Sequence, residues 1–274
     1  MSNKGDRVPG VEVETEREFV RVERHEGVQH VQLDRPDRLN AVSDELYADL
    51  DAALSEVTQD PSTRAILLSG AGRAFCAGAD LKAHRSRSRT PAERRAYVWA
   101  GQRACRMLRT APVPVVAAVH GHAIGAGAEL ALSADVIVCA DDLGLAFPEV
   151  GLGTFVGGGL SQRLPLMVGP VRASELLMLG RRLSGAEAVD WGLATEAVDA
   201  DKVLVRGWEL AGTLAEQPAM SMRLAKDAIG RAGTTSLDQA MTYEAEGLLA
   251  CMSTDDWSEG VDGFTTRTGG QGND

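Results

Sequence analysis

The feature that most constrains the fold lies mid-chain. Two short apolar runs, at 115–119 and 136–139, flank a glycine-rich turn and a brief helical pattern at 126–132. Apolar runs of four or five residues bounded by turn signals read as buried strands. A helix between two such strands argues for an α/β chain built on a parallel sheet. The same grammar extends outwards. Residues 19–24 and 28–33 alternate apolar and polar positions around Glu26-Gly27, which predicts a hairpin. Ser43 stands where it can cap a helix carrying Leu46, Leu50, Leu54 and Val57 at helical spacing. A short strand follows at 65–68. Thr90-Pro91-Ala92-Glu93 joins a capping box to a proline at the first helical position and predicts a helix over 91–109. Ser184-Gly185-Ala186-Glu187 opens a second capped helix towards Asp190. Beyond residue 200 strand signals cease, and 202–215, 219–232, 237–251 and 257–264 all read as helix. The expected organisation is a loose polar tail over 1–18, an α/β core over 19–200 and a helical appendage over 201–274.

Bulk properties exclude several function classes. Of the 274 residues 44% are hydrophobic and 24% charged, the balance of a globular chain. The longest apolar stretch, 111–119, is far short of the roughly 20 residues a membrane helix requires. The charged first 20 residues hold no apolar block of the secretory kind, so the expected location is the cytoplasm, with no membrane partner. A formal net charge of −11 opposes general binding to a phosphate backbone, so no nucleic-acid partner is expected. Cys76, Cys105, Cys139 and Cys251 are scattered without a Cys-x-x-Cys pair, which speaks against disulfide staples and zinc knuckles. One stretch runs against the net charge: Lys82, Arg85, Arg87, Arg89, Arg94 and Arg95, opposed only by Glu93. It is either a solvated surface or an electropositive approach for a small polyphosphate ligand.

Two glycine-rich stretches each carry a glutamate. In Gly121 to Leu130 small residues follow a strand and open a helix, leaving room for a ligand near unpaired N–H groups or for close packing of strand on helix. The dinucleotide fingerprint is absent, because Leu130 and Val156 stand where its third glycine belongs. Glu129 sits among Ala128, Leu130, Ala131 and Leu132, where an ionised carboxylate is costly unless paired or used. Glu149 lies in the second stretch, Phe147 to Gly159. Two glutamates in one dry pocket divide acid and base roles, since burial and mutual repulsion separate their proton affinities.

These pieces resemble the enoyl-CoA hydratase/isomerase superfamily, the crotonase family. The resemblance is carried in order by Arg35-Pro36-Asp37-Arg38-Leu39-Asn40-Ala41, Phe75-Cys76-Ala77-Gly78-Ala79-Asp80-Leu81, His120 to Leu132, Pro148 to Gly153, Leu183 to Ala188 and Trp191-Gly192-Leu193. It implies a spiral of ββα units followed by a helical oligomerisation domain, assembled as a homotrimer or a dimer of trimers. It also implies an acyl-CoA thioester substrate, with coenzyme A part of the substrate and neither cofactor nor metal required. The backbone N–H groups of Ala79 and Ala126 fall at the oxyanion-hole positions. Glu129 falls where water is positioned and activated at C3, and Glu149 where a proton is delivered to C2. The coenzyme A contacts fall on Arg38, Ala41, Ala77, Asp80, Lys82, Phe264 and Arg267, with Phe264 facing the adenine. Addition of water to a 2-enoyl-CoA is the leading expectation. Double-bond isomerisation, another acyl-CoA lyase or hydrolase chemistry, and an idle CoA-binding subunit are the alternatives.

Where such hydratases read Ile-Pro-Gly-Ala-Gly-Gly-Thr, this chain reads Phe155-Val156-Gly157-Gly158-Gly159-Leu160-Ser161, and Leu145-Ala146-Phe147 replaces the usual Phe-Gly-x. Phe147, Phe155 and Leu160 are therefore expected to shape the acyl pocket. His120-x-His122 lacks a third ligand at metal spacing. Cys76 lacks a partner histidine and reads as a small buried thiol. Trp99, Trp191, Trp208 and Trp257 read as core or subunit-contact residues.

Overall fold

The computed structural model describes residues 12–86 and 88–269. Strand β1 (Glu12–Glu16) runs antiparallel to β2 (Val20–His25), and β2 is antiparallel to β3 (Val28–Leu33). The β2–β3 turn places Glu26 at φ 46° and Gly27 at φ 81°, the double left-handed turn that matches the twist of a two-residue hairpin. For residues 12–16 strand β1 corrects the expectation of a loose tail over 1–18, of which 1–11 lie outside the described residues. Its residues are Glu-Val-Glu-Thr-Glu, and so polar an edge strand shows no apolar alternation while its charge discourages edge pairing.

Helix α1 (Asp44–Gln59) begins where Ser43 Oγ accepts the Leu46 N–H at 3.2 Å. It leads to β4 (Ala65–Gly70), α2 (Leu81–Ser86) and α3 (Pro91–Thr110), the last opened by the Thr90/Glu93 capping box. Then come β5 (Val115–Val119), β6 (His122–Ile124), α4 (Ala126–Ala131), β7 (Val136–Ala140) and β8 (Gly144–Ala146). After β8 follow α5 (Leu160–Val168), α6 (Pro170–Leu179), α7 (Gly185–Asp190), β9 (Glu196–Val198) and α8 (Val203–Ala215).

The main sheet has the order β1-β2-β3-β4-β5-β7-β9 and is parallel from β3 onwards. A second layer pairs β6 with β8, and isolated bridges join Val42 to Ala79, Cys76 to Ala123 and Leu145 to Leu183. Successive segments thus add a strand to the main sheet and a pairing to the second layer, which makes the chain a spiral. Strand β4 is buried at every position, as a parallel strand covered on both faces must be. Ile66 and Leu68 face a core shared with α1 and α3, and Leu67 faces a smaller core with Trp208 and Ala211 of α8. At Gly207 an added Cβ would stand 2.9 Å from Leu67 Cδ1 and 3.0 Å from Ala118 Cβ. Helix α8 is thus sheet-packed, and the first compact unit ends at Glu216 rather than at the expected 200.

The second unit, from Gln217, holds α9 (Ala219–Arg231), α10 (Leu237–Met252) and α11 (Asp255–Gly269), with α9 against α10 and α10 against α11. No residue of α10 is buried, and Leu237, Met241, Leu248, Leu249 and Met252 are exposed on it. Among the described residues no helix is long and apolar enough to cross a membrane.

Candidate active site

The site is assembled by backbone before any side chain contributes. A 3-10 turn at Pro36–Arg38 is followed by Leu39 and Asn40 at φ 51° and 55°. The Asn40 side chain is wholly buried and fully used. Its Oδ1 accepts the Arg35 N–H at 2.8 Å, and its Nδ2 donates to the carbonyls of Ala71 (2.9 Å) and Ala74 (2.8 Å). The Cys76 thiol donates to the Asn40 carbonyl at 3.0 Å. So clamped, the segment after β4 pairs on one side with Val42, whose N–H donates to Gly78 O at 2.8 Å and whose carbonyl accepts Asp80 N–H at 3.0 Å. On the other side Cys76 N–H donates to His122 O, and Ile124 N–H donates to Cys76 O. The Val42 pairing turns the Ala79 N–H away from Val42. Across Gly78, at φ 89°, lies the start of α4. A Cβ on Gly78 would stand 2.6 Å from Ile124 O and 3.8 Å from Ala126 N. As the first helical residue, Ala126 has no intrahelical acceptor for its N–H. The Gly78 turn therefore lies close against the start of α4, and glycine is what permits the approach.

Glu129 lies in the first turn of α4 and is 9% exposed. Its Oε1 accepts the Gly157 N–H at 2.6 Å. Burial pushes its carboxyl up to about 7, the Gly157 N–H works against this rise, and the nearby charge of Glu149 adds to it. Glu149 follows β8 and precedes a 3-10 turn at Val150–Leu152. Its Oε1 lies 2.5 Å from where a Cβ on Gly125 would stand, and its Oε2 is buried without a hydrogen-bond partner among the described residues. Desolvation raises this carboxyl too. Two neighbouring carboxyls thus resist ionisation, one of them half-ionised near neutral pH.

Residues 23–270 match the family described as enoyl-CoA hydratase/isomerase. The chain belongs to this family. A 1,2-epoxyphenylacetyl-CoA isomerase of Escherichia coli is 36% identical over 258 residues, spanning 91% of this chain and 96% of the relative. A crotonyl-CoA hydratase of Syntrophomonas wolfei is 32% identical over 251 residues, with the same shares covered. Among solved structures, an enoyl-CoA hydratase of Bacillus anthracis superposes with a TM-score of 0.86 at 32% identity, over 91% of this chain and 97% of that one. One of Polaromonas gives 0.87 at 28% identity, over 90% and 97%. The fold is the crotonase fold.

The remaining residues that the family resemblance singles out fall into three groups. Ala41 and Ala77 flank the clamped segment, and Arg38 and Lys82 are exposed beside it. Asp80, by contrast, is buried. It accepts Arg35 Nη1 at 2.9 Å and caps α2 through Ala83 N–H at 3.0 Å, which hold its carboxyl below the usual range, so its side chain is spent on the loop rather than on a ligand. Phe264 is exposed on α11 of the second unit, and the side chain of Arg267 lies outside the described residues. The expected acyl-pocket residues divide. Phe147 (1% exposed) and Leu160 (0%) belong to the hydrophobic core rather than to an open cavity, and Phe155 is 72% exposed. Bulk in the sequence does not say which way a side chain turns.

Of the basic run, Arg89 is buried, paired with Asp44 and 4.4 Å from the Tyr97 ring centroid, so it is an anchor for the loop before α3. Cys76 is pushed up to about 12 by burial, which keeps it a thiol. His120 approaches Gly72 O at 2.9 Å and His122 approaches Arg182 at 2.8 Å; no metal-binding cluster occurs among the described residues. Trp191 and Trp208 are buried, and Trp99 and Trp257 are half exposed. Gly157 was missed as a functional residue. It acts through a main-chain N–H, and its only sequence signal is the run Gly157-Gly158-Gly159.

Proposed function

We propose that this chain adds water across the C2=C3 bond of a 2-enoyl-CoA. The observation that carries the reading is the pairing of two desolvated carboxyls, Glu129 raised to about 7 and Glu149 also raised, beside the close approach of the Gly78 turn to the start of α4. In this mechanism the thioester oxygen accepts the N–H groups of Ala79 and Ala126. Glu129 takes a proton from water as its oxygen attacks C3, charge moves onto the thioester oxygen as an enolate, and Glu149 gives a proton to C2. Solvent exchange restores both carboxyls. One oxyanion donor contributes about 3–4 kcal/mol to such a step. The thioester acidifies the α-carbon, so the reaction calls on no cofactor beyond the coenzyme A of its substrate. Arg38 and Lys82, exposed beside the clamped segment, would receive the nucleotide end of coenzyme A. The protein would work in the cytoplasm as a trimer or a dimer of trimers.

Double-bond isomerisation is the second reading, favoured by the hydratase/isomerase description of the family. An isomerase of this type works with a single glutamate at the second position, so Glu129 separates the two. The test follows the conjugated-thioester absorbance of crotonyl-CoA and longer 2-enoyl-CoAs. Wild type should hydrate at least one, and Glu129→Gln and Glu149→Gln should each lower kcat by about 10²- to 10⁴-fold. Unchanged turnover in both variants, or a double-bond shift of a 3-enoyl-CoA with no hydration at any chain length, contradicts the reading.

A further inference from the structure

Gln102 projects from α3 and is half-buried. The point where a Cβ on Gly157 would stand lies 3.2 Å from Gln102 Nε2 and 2.7 Å from Glu129 Oε2. A neutral donor and a carboxylate oxygen therefore border one small space in front of Gly157. Oε1 of Glu129 is committed to the Gly157 N–H, which leaves Oε2 for another partner. The two side chains do not hydrogen-bond each other, and the gap between them is at most about two hydrogen-bond lengths, a span that one bridging water fills. Among the described residues no protein group accepts from the Gln102 amide, which leaves it a water as partner.

We propose that Gln102 is a second anchor of the attacking water: its Nε2–H donates to the water oxygen while Glu129 Oε2 accepts one of the water's protons. This rests on the hydratase reading and adds a residue to it. The amide occupies one lone pair of the water. The other lone pair forms the C3–O bond, one O–H proton passes to Glu129, the C2=C3 pair moves into the enolate and Glu149 protonates C2. An amide does not titrate, so this orientation holds throughout the pH range in which Glu129 ionises.

The experiment compares wild type with Gln102→Met and Gln102→Leu in two assays. One is hydration of the best 2-enoyl-CoA substrate. The other is exchange of the C2 protons of the matching saturated acyl-CoA in D2O, which needs Glu149 and the two amides but no water at C3. In both variants hydration kcat should fall about 10- to 100-fold, with KM changed by less than about threefold. The exchange rate should stay within about twofold of wild type. The acidic limb of the hydration profile should also move to higher pH, because Glu129 loses a polar neighbour. Hydration by Gln102→Met at the wild-type rate overturns the inference, and so does an equal fall in hydration and exchange, which marks a packing role. If wild type hydrates no enoyl-CoA, the parent reading fails and takes the inference with it; if wild type hydrates and Gln102→Met matches it, the inference alone fails.

Discussion

At Glu129 the site and the stability of the chain are one problem. Its carboxyl rises from an ordinary 4.5 to about 7 on folding, chiefly through burial. At low pH the group is neutral both folded and unfolded and imposes no penalty. As pH climbs from about 4.5 to about 7 the unfolded chain ionises first, and stability falls; above that window the folded state carries the full cost, on the order of 3 kcal/mol. Glu129→Gln should therefore gain stability relative to wild type between pH 4.5 and pH 8, by up to about that amount in urea titrations. Parallel pH dependences in the two proteins would contradict the burial account. The same ionisation should give hydration an acidic limb near pH 7. Asn40 poses a different question. Its alanine variant takes the Asn40 partner from one buried carbonyl, one part-buried carbonyl and one N–H. A loss of about 2–4 kcal/mol in denaturant unfolding is expected, and a loss below about 0.5 kcal/mol would mean that the clamp is dispensable. Both glutamates were legible in the sequence, one from its apolar flanks and both from the family pattern. Asn40, Gly157 and Gln102 were not, because their roles lie in carbonyls, an N–H and a cavity formed by segments far apart in the chain.

Among the elements, three of the capped helices, α1, α3 and α7, were readable from their caps because a cap is local chemistry. Ser43, Thr90 and Ser184 each accept the backbone N–H three residues on. The parallel strands were readable as short apolar runs. Three-residue strands such as β6, β8 and β9 show no period, and α5 and α6 are broken by Pro165, Gly169 and Pro170, so neither set announced itself. Yet β6 carries the site, for it delivers Gly125, Ala126 and Gly127 to the Cys76 segment. A Cβ at Gly127 would run into the Cys76 carbonyl and would also crowd its side chain. Gly127→Ala should therefore push α4 from that segment, lowering stability by about 1–3 kcal/mol. It should also lower kcat more than it raises KM, because the amides must meet at one oxygen. Thermal melts and steady-state kinetics check this, and a variant equal to wild type in both would show that the close approach is unimportant.

For the molecule as a whole, the parallel sheet and its spiral second layer position Glu129 on α4 and Glu149 just after β8, and the helical unit presents a surface of its own. Helix α10 leaves Leu237, Met241, Leu248, Leu249 and Met252 exposed, and exposed apolar patches of this kind mark interaction surfaces. Light scattering should give three or six times the chain mass, and a monomer at micromolar concentration would contradict the assembly. The sharpest test of the whole account is the mass of the product formed from a 2-enoyl-CoA in H2(18)O and in D2O. Hydration predicts a 3-hydroxyacyl-CoA carrying one (18)O on C3 and, in D2O, one non-exchanging deuterium on C2. Deuterium uptake without oxygen, or (18)O appearing in a released free acid, would contradict it.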